Sequence, residues 1–72
     1  MYYDFSENLR TLRKERKMTQ DMLAEKLNTH KNTISRWETC TSYPTLDMIY
    51  DIARILEVDV TLLLKENKNI LK

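Results

Sequence analysis

The 72-residue chain contains no glycine. Any turn that needs a positive φ must then fall on a residue with a Cβ, and Asn is among the least costly choices. Hairpin-rich sheets lean on Gly at their tight turns, so this composition favours helices joined by short corners. There is one proline, Pro44, and one cysteine, Cys40. A single thiol excludes an intrachain disulfide and a Cys-cluster zinc site, and it fits a reducing cytoplasm. No apolar run reaches the roughly 20 residues of a membrane span. The opening Met1-Tyr2-Tyr3-Asp4 does not read as a secretory signal. A cytoplasmic protein without membrane attachment is expected. One His, one Cys and no Gly-rich phosphate loop leave nothing to assemble into a nucleophile–base pair or metal site, so no enzyme, no cofactor and no metal are expected.

The formal net charge is only +1, a weak argument for a nucleic-acid partner. Its distribution says more. Residues 1–8 carry −2, residues 9–38 carry eight Lys or Arg against four acids, and residues 39–72 carry −1. Positive charge gathered in one stretch suits a phosphate-facing surface. A solvated helix face accounts for that charge equally well.

Five helical segments are legible. The first spans about Asp4 to Lys17: Asp4 and Glu7 have capping-box spacing, and Phe5, Leu9 and Leu12 share a face. The second spans Gln20 to Leu27, with Thr19 as N-cap and Met18 and Leu23 as a hydrophobic staple. Leu23, Ala24 and Leu27 form its inward face. Asn28-Thr29 ends it, because Asn tolerates the left-handed conformation. The third spans about Lys31 to Thr39, capped by His30 or Thr29. Only Ile34 and Trp37 are apolar there, while Lys31, Asn32, Thr33, Ser35 and Arg36 form a broad polar face. After the loop Cys40–Pro44, Thr45 caps a fourth helix whose stripe is Leu46, Ile49, Ile52, Ala53 and Leu56. Asp59 caps a fifth, about Val60 to Glu66, with Val58 and Leu63 as a second staple. The expectation is one all-α domain over residues 1–66 and a short tail over 67–72.

The informative unit is Thr19 to Glu38: two short helices and a tight corner, the first with a wide inward stripe, the second with a narrow one. That asymmetry is what a helix-turn-helix needs, because the second helix must keep a flank free for the major groove. The stretch resembles the Cro/phage-repressor (Xre-type) helix-turn-helix family. The matching features are Thr19-Gln20, Leu23-Ala24, Leu27, the run Thr33-Ile34-Ser35-Arg36-Trp37-Glu38, Pro44, and Leu56-Glu57-Val58-Asp59 with Leu63-Leu64. The resemblance covers about Phe5 to Leu64.

It implies a compact five-helix domain of the lambda-repressor-like type. It also implies a homodimer on a palindromic double-stranded operator, with a repressor's role. By position it places base-edge contacts on His30, Lys31, Asn32, Thr33 and Arg36. It places phosphate contacts on Gln20, Arg13, Thr29, Ser42, Tyr43 and Thr45. It further implies an Arg13–Glu38 ion pair, and a dimer surface formed by the fifth helix and the loop before the fourth. The residue chemistry agrees independently at the base-reading positions: Lys and Arg donate to guanine O6 and N7, and Asn pairs bidentately with adenine. The family usually has Gly where this chain has Asn28 and Cys40, and Cys suits φ > 0 less well than Asn does.

Plainer readings stand beside these. His30 alone is more often a helix cap or surface residue, and Lys31 and Asn32 ordinary solvated surface. Trp37 shares a face with Ile34 and reads as core rather than as a stacking platform. Arg13 with Glu38 also reads as structure alone. Cys40 reads as inert, with a redox role as the minor alternative. The four Met suggest packing. Tyr2, Tyr3, Ile70 and Leu71 are either frayed ends or dimer contacts. A competing function is a protein-interaction module, such as an antitoxin bound to a toxin, or a target of an antirepressor, with DNA binding secondary.

Overall fold

The chain alternates short amphipathic segments with capping residues, and each such segment becomes a helix in the computed structural model, which describes residues 3–67. In chain order these are α1 Tyr3–Glu15, α2 Gln20–Leu27, α3 Lys31–Glu38, α4 Leu46–Leu56 and α5 Val60–Leu64. There is no strand among the described residues. The described residues form an all-α domain of five helices, as the resemblance implies.

The N-terminal caps form where Thr and Asp precede the apolar periodicity. The Thr19 hydroxyl accepts from Met22 N–H at 3.0 Å, the Thr45 hydroxyl from Met48 N–H at 3.2 Å, and the Asp59 carboxylate from Thr61 N–H at 3.0 Å. Each relieves one of the orphan donors of a first turn. Both expected staples, Met18 with Leu23 and Val58 with Leu63, pack into the core. At α1 the reading differs. Asp4 lies inside the helix rather than before it, so it forms no capping box, and its carboxylate instead accepts from Asn67 N–H at 3.4 Å.

The helix ends show how a chain without glycine turns corners. Lys17, Asn28, Cys40 and Glu57 all have φ between 59° and 63°. Each lies just beyond α1, α2, α3 or α4, and the next residue reaches five back to a helical carbonyl. These closures are Met18 to Arg13 O, Thr29 to Ala24 O, Thr41 to Arg36 O and Val58 to Ala53 O, at 2.9–3.1 Å. Four helices thus share the Schellman closure that usually employs Gly. Cys40 takes the left-handed conformation despite its Cβ. Lys17 does likewise, which stops α1 at Glu15, two residues short of the expected end.

All five helices contribute to one core: Phe5 and Leu9, Leu23 and Ala24, Ile34 and Trp37, Ile49, Ile52, Ala53 and Leu56, and Leu63. Burying each large aliphatic or aromatic side chain contributes roughly 1.5–3 kcal/mol. Leu46, expected on the α4 stripe, is 59% exposed, because it is the first residue of the helix and overhangs the core. The α5 helix ends at Leu64 rather than near Glu66. The buried Asn8 amide donates to both Leu63 O and Lys65 O at 3.0 Å and draws the chain out along α1. Asn67, expected in the tail, is tied to α1 through Glu7 and Asn8. Tyr2, Ile70 and Leu71, considered above as dimer contacts, lie outside the described residues.

No helix among the described residues is long and apolar enough to cross a membrane.

Candidate nucleic-acid interface

The α3 helix is fixed from one side only. Ile34 is fully buried and Trp37 nearly so, three residues apart on one face. The Ser6 hydroxyl of α1 donates to Trp37 O from beneath. Glu38, the last helical residue, turns its side chain inward, where it is 2% exposed. At about 100° per residue, Asn32 and Arg36 stand opposite Ile34, and both are exposed. Lys31 is exposed at the helix start, and Thr33 and Ser35 flank the outward ridge half-buried.

His30 is the N-cap of α3 but makes no side-chain cap bond. Its carbonyl accepts from Thr33 and Ile34 N–H, while the exposed imidazole is not engaged in capping. The five expected base-reading residues therefore share the outward end and flank of α3, with Thr33 the least accessible. Ser35 lies beside them on the polar face that the sequence shows, although no role was expected of it.

The expected phosphate ligands divide. Thr45 and Tyr43 are exposed and Ser42 half-buried, all at the approach to α4. The Thr45 hydroxyl caps α4. The Tyr43 hydroxyl donates to Cys40 O at 3.2 Å, and Ser42 N–H donates to Arg36 O at 3.2 Å. That loop is therefore closed back onto the end of α3. Thr29 is half-buried, with its N–H given to Ala24 O. Gln20, the first residue of α2, is half-buried and donates from Nε2 to Glu38 Oε1 at 3.0 Å.

Arg13, expected as a phosphate ligand, faces inward. Its side chain is 8% exposed, and each guanidinium nitrogen already donates within the protein. Nε meets Glu38 Oε2 at 2.6 Å, Nη2 meets Glu38 Oε1 at 3.0 Å, and Nη1 meets Met18 O at 2.8 Å. The expected ion pair is present as this bidentate fork, the geometry for which guanidinium is suited. The pair ties α1 to the end of α3 and to the residue leading into α2. Sequence reasoning missed Gln20 as a second partner of Glu38. A Gln four positions before an Ala on a polar helix start carries no sign of an inward bond.

The environment of Asp59 clearly moves its carboxyl. The N–H and hydroxyl of Thr61 both donate to its carboxylate and hold its pKa below the ordinary value. It caps α5 and stands apart from the α3 flank. Among the described residues, no three His, Cys, Asp or Glu side chains gather as a metal site.

A family model described as helix-turn-helix matches residues 9–63. The HTH-type transcriptional activator BcrR of Enterococcus faecalis is 34% identical over 61 residues, which are 85% of this chain and 30% of that protein. The HTH-type transcriptional regulator YqaE of Bacillus subtilis is 35% identical over 65 residues, 90% of this chain and 56% of that one. The chain thus spans 30% to 56% of the length of these relatives. Among solved structures, the hydroxypropylphosphonic acid epoxidase from S. wedmorenis superposes with a TM-score of 0.81 at 28% identity. The match covers 86% of this chain and 33% of that chain. This likeness corrects the expectation of no enzyme. A unit of this fold forms part of an epoxidase chain, so the residue content of such a unit does not exclude an enzyme. The match over residues 9–63 and the identity to two regulators carry the assignment: the chain belongs to the Cro/C1-type, Xre-like helix-turn-helix family of DNA-binding transcription regulators.

Proposed function

We propose that this chain binds double-stranded DNA in a sequence-dependent way, with α3 lying in the major groove. The single observation that carries this reading is the two-sidedness of α3. Ile34, Trp37 and Glu38 face inward, while Lys31, Asn32 and Arg36 are exposed. Arg36 and Lys31 suit guanine O6 and N7, Asn32 suits adenine N6 and N7, and the Thr33 methyl suits a thymine methyl. His30 adds a donor at the helix start. Gln20, Thr29, Ser42, Tyr43 and Thr45 flank the helix as phosphate ligands that set its register.

The same reading includes a homodimer on a two-fold symmetric operator. Its surface comprises α5 and the loop before α4, with Leu62 and Leu64 of α5 as exposed apolar residues. Half-sites would then lie about one helical turn apart, near 34 Å. Occupancy of such a site represses transcription where it overlaps a promoter. A second reading, activation, is favoured by the name of the Enterococcus relative.

Selection of binding sites from random duplexes tests the proposal. It should enrich an inverted repeat, and affinity for that repeat should fall steeply with salt as counterions are released. Failure to enrich any duplex at low ionic strength contradicts it. Enrichment of a single half-site removes the dimer while leaving base reading intact. A reporter fused to the selected site decides between repression and activation.

A further inference from the structure

The Glu38 carboxylate is the meeting point of three helices. It sits at the end of α3, nearly sealed from solvent, and takes two donors from Arg13 of α1 and one from Gln20 of α2. The Gln20 amide lies at the start of α2, half-exposed, on the side of the molecule that carries the α2–α3 unit. An amide nitrogen has two N–H groups. One points to Glu38 Oε1 at 3.0 Å, and the second has no protein partner among the described residues. A free glutamine side chain samples several rotamers, whereas this one is held at its tip by a buried anion that is itself fixed by the Arg13 fork. The cost of ordering the amide is therefore met before any ligand arrives.

We infer that Glu38 is a positioning residue for DNA. It holds the Gln20 amide so that the outward N–H is already aimed at one backbone phosphate oxygen. Because Glu38 belongs to α3, the same bond fixes the distance between that phosphate and the base-reading flank. Phosphate contact and groove depth are then set by one hydrogen bond rather than by two independent side chains. Arg13 acts behind Glu38, anchoring the anion, and does not itself reach the duplex. This inference rests on the proposal that α3 enters the major groove.

Methylphosphonate interference tests it. Each phosphate of the selected duplex is replaced in turn by an uncharged methylphosphonate, and affinity is measured for wild type, Gln20→Ala, Glu38→Gln and the double variant Arg13→Met with Glu38→Leu. Wild type should lose roughly tenfold in affinity at one phosphate per half-site, the value of one hydrogen bond to a charged group. Gln20→Ala should abolish that sensitivity and no other. Arg13→Met with Glu38→Leu removes the acceptor of Gln20 together with the buried cation, so it should abolish the same sensitivity while the thermal melt stays cooperative. Glu38→Gln keeps an amide oxygen that can accept from Gln20, so where it folds it should keep the sensitivity. The double variant retaining the wild-type interference pattern overturns the inference while leaving DNA binding intact. Wild type binding no duplex at all overturns both.

Discussion

The α3 and α4 helices are neighbours in sequence, yet they are held by different forces. Of the 11 residues of α4, Ile49, Ile52, Ala53 and Leu56 are buried and form a continuous apolar stripe. Its first turn is capped by Thr45, and its last carbonyl, Leu56 O, accepts from Arg16 Nε at 2.6 Å. The α3 helix has eight residues and buries only Ile34, Trp37 and the charged Glu38. Its N-cap makes no side-chain bond. Apolar area holds α4, whereas two side chains and a buried ion pair hold α3. The difference shows how a helix is attached firmly while most of its circumference stays free for a partner. Few anchors are used, and the C-terminal end is locked by a charge-assisted fork.

The largest effect that tests this contrast is on stability. Glu38→Ala leaves the Arg13 guanidinium buried without its anion and should cost about 3–5 kcal/mol in denaturant unfolding. The double change Arg13→Met with Glu38→Leu should recover most of that loss. A cost below about 1 kcal/mol for Glu38→Ala would mean that α3 is held by Ile34 and Trp37 alone.

Next come the outward residues. Asn32→Ala and Arg36→Ala should each change stability by no more than about 0.5 kcal/mol. Each should nonetheless weaken discrimination at one base pair by about 1–3 kcal/mol. Variants that bind all single-base variants of the selected site as wild type does would remove these two residues from base reading.

Smaller effects belong to the corners. A non-glycine residue in the left-handed region costs roughly 1–2 kcal/mol, and Gly gives back part of that through its larger unfolded entropy. Glu57→Gly, and likewise Cys40→Gly, should therefore stabilise by about 0.5–1 kcal/mol. That gain raises the melting temperature by several degrees in a domain this small. Asn28→Gly should do less, since Asn already tolerates the conformation. Equal gains at all three positions would show that the Cβ is not the cause.

The smallest effect is a pH dependence at α5. Because the Asp59 pKa is depressed in the folded protein, its contribution is present above the unfolded value. It is lost as pH falls through the folded one, a window below about pH 4. Asp59→Asn should remove this loss from the α5 amide signals. A carboxylate midpoint at or above the ordinary Asp value, followed by NMR, would contradict it.

Most of the fold is legible in the residue pattern because caps and apolar spacing act locally. Thr19, Thr45 and Asp59 announce helix starts, and Leu23, Ile34 and Leu56 announce inward faces. What is not legible depends on contacts far apart in sequence. Asn8 decides where α5 ends, from 55 residues away. Lys17 and Glu57 look like ordinary charged residues, yet both are left-handed because the core on either side requires the helices to turn there. At the candidate site, the outward flank of α3 follows from periodicity. The Arg13–Glu38 pair is visible only through family resemblance, and its full engagement of Arg13 shows only in three dimensions. Gln20 carried no signal of its inward bond, since a polar side chain at a helix start looks alike whether it faces solvent or a buried anion.

The central claim is that α3 meets the partner with the flank opposite Ile34 and Trp37. Amide chemical-shift mapping during titration with a selected duplex tests this most directly. The account predicts that the signals of Gln20 and of His30 to Arg36 move most, while those of Ile52 to Leu56 at the far end of α4 stay in place. Perturbations centred on Leu46 and Tyr50, with Asn32 and Arg36 unmoved, would contradict it.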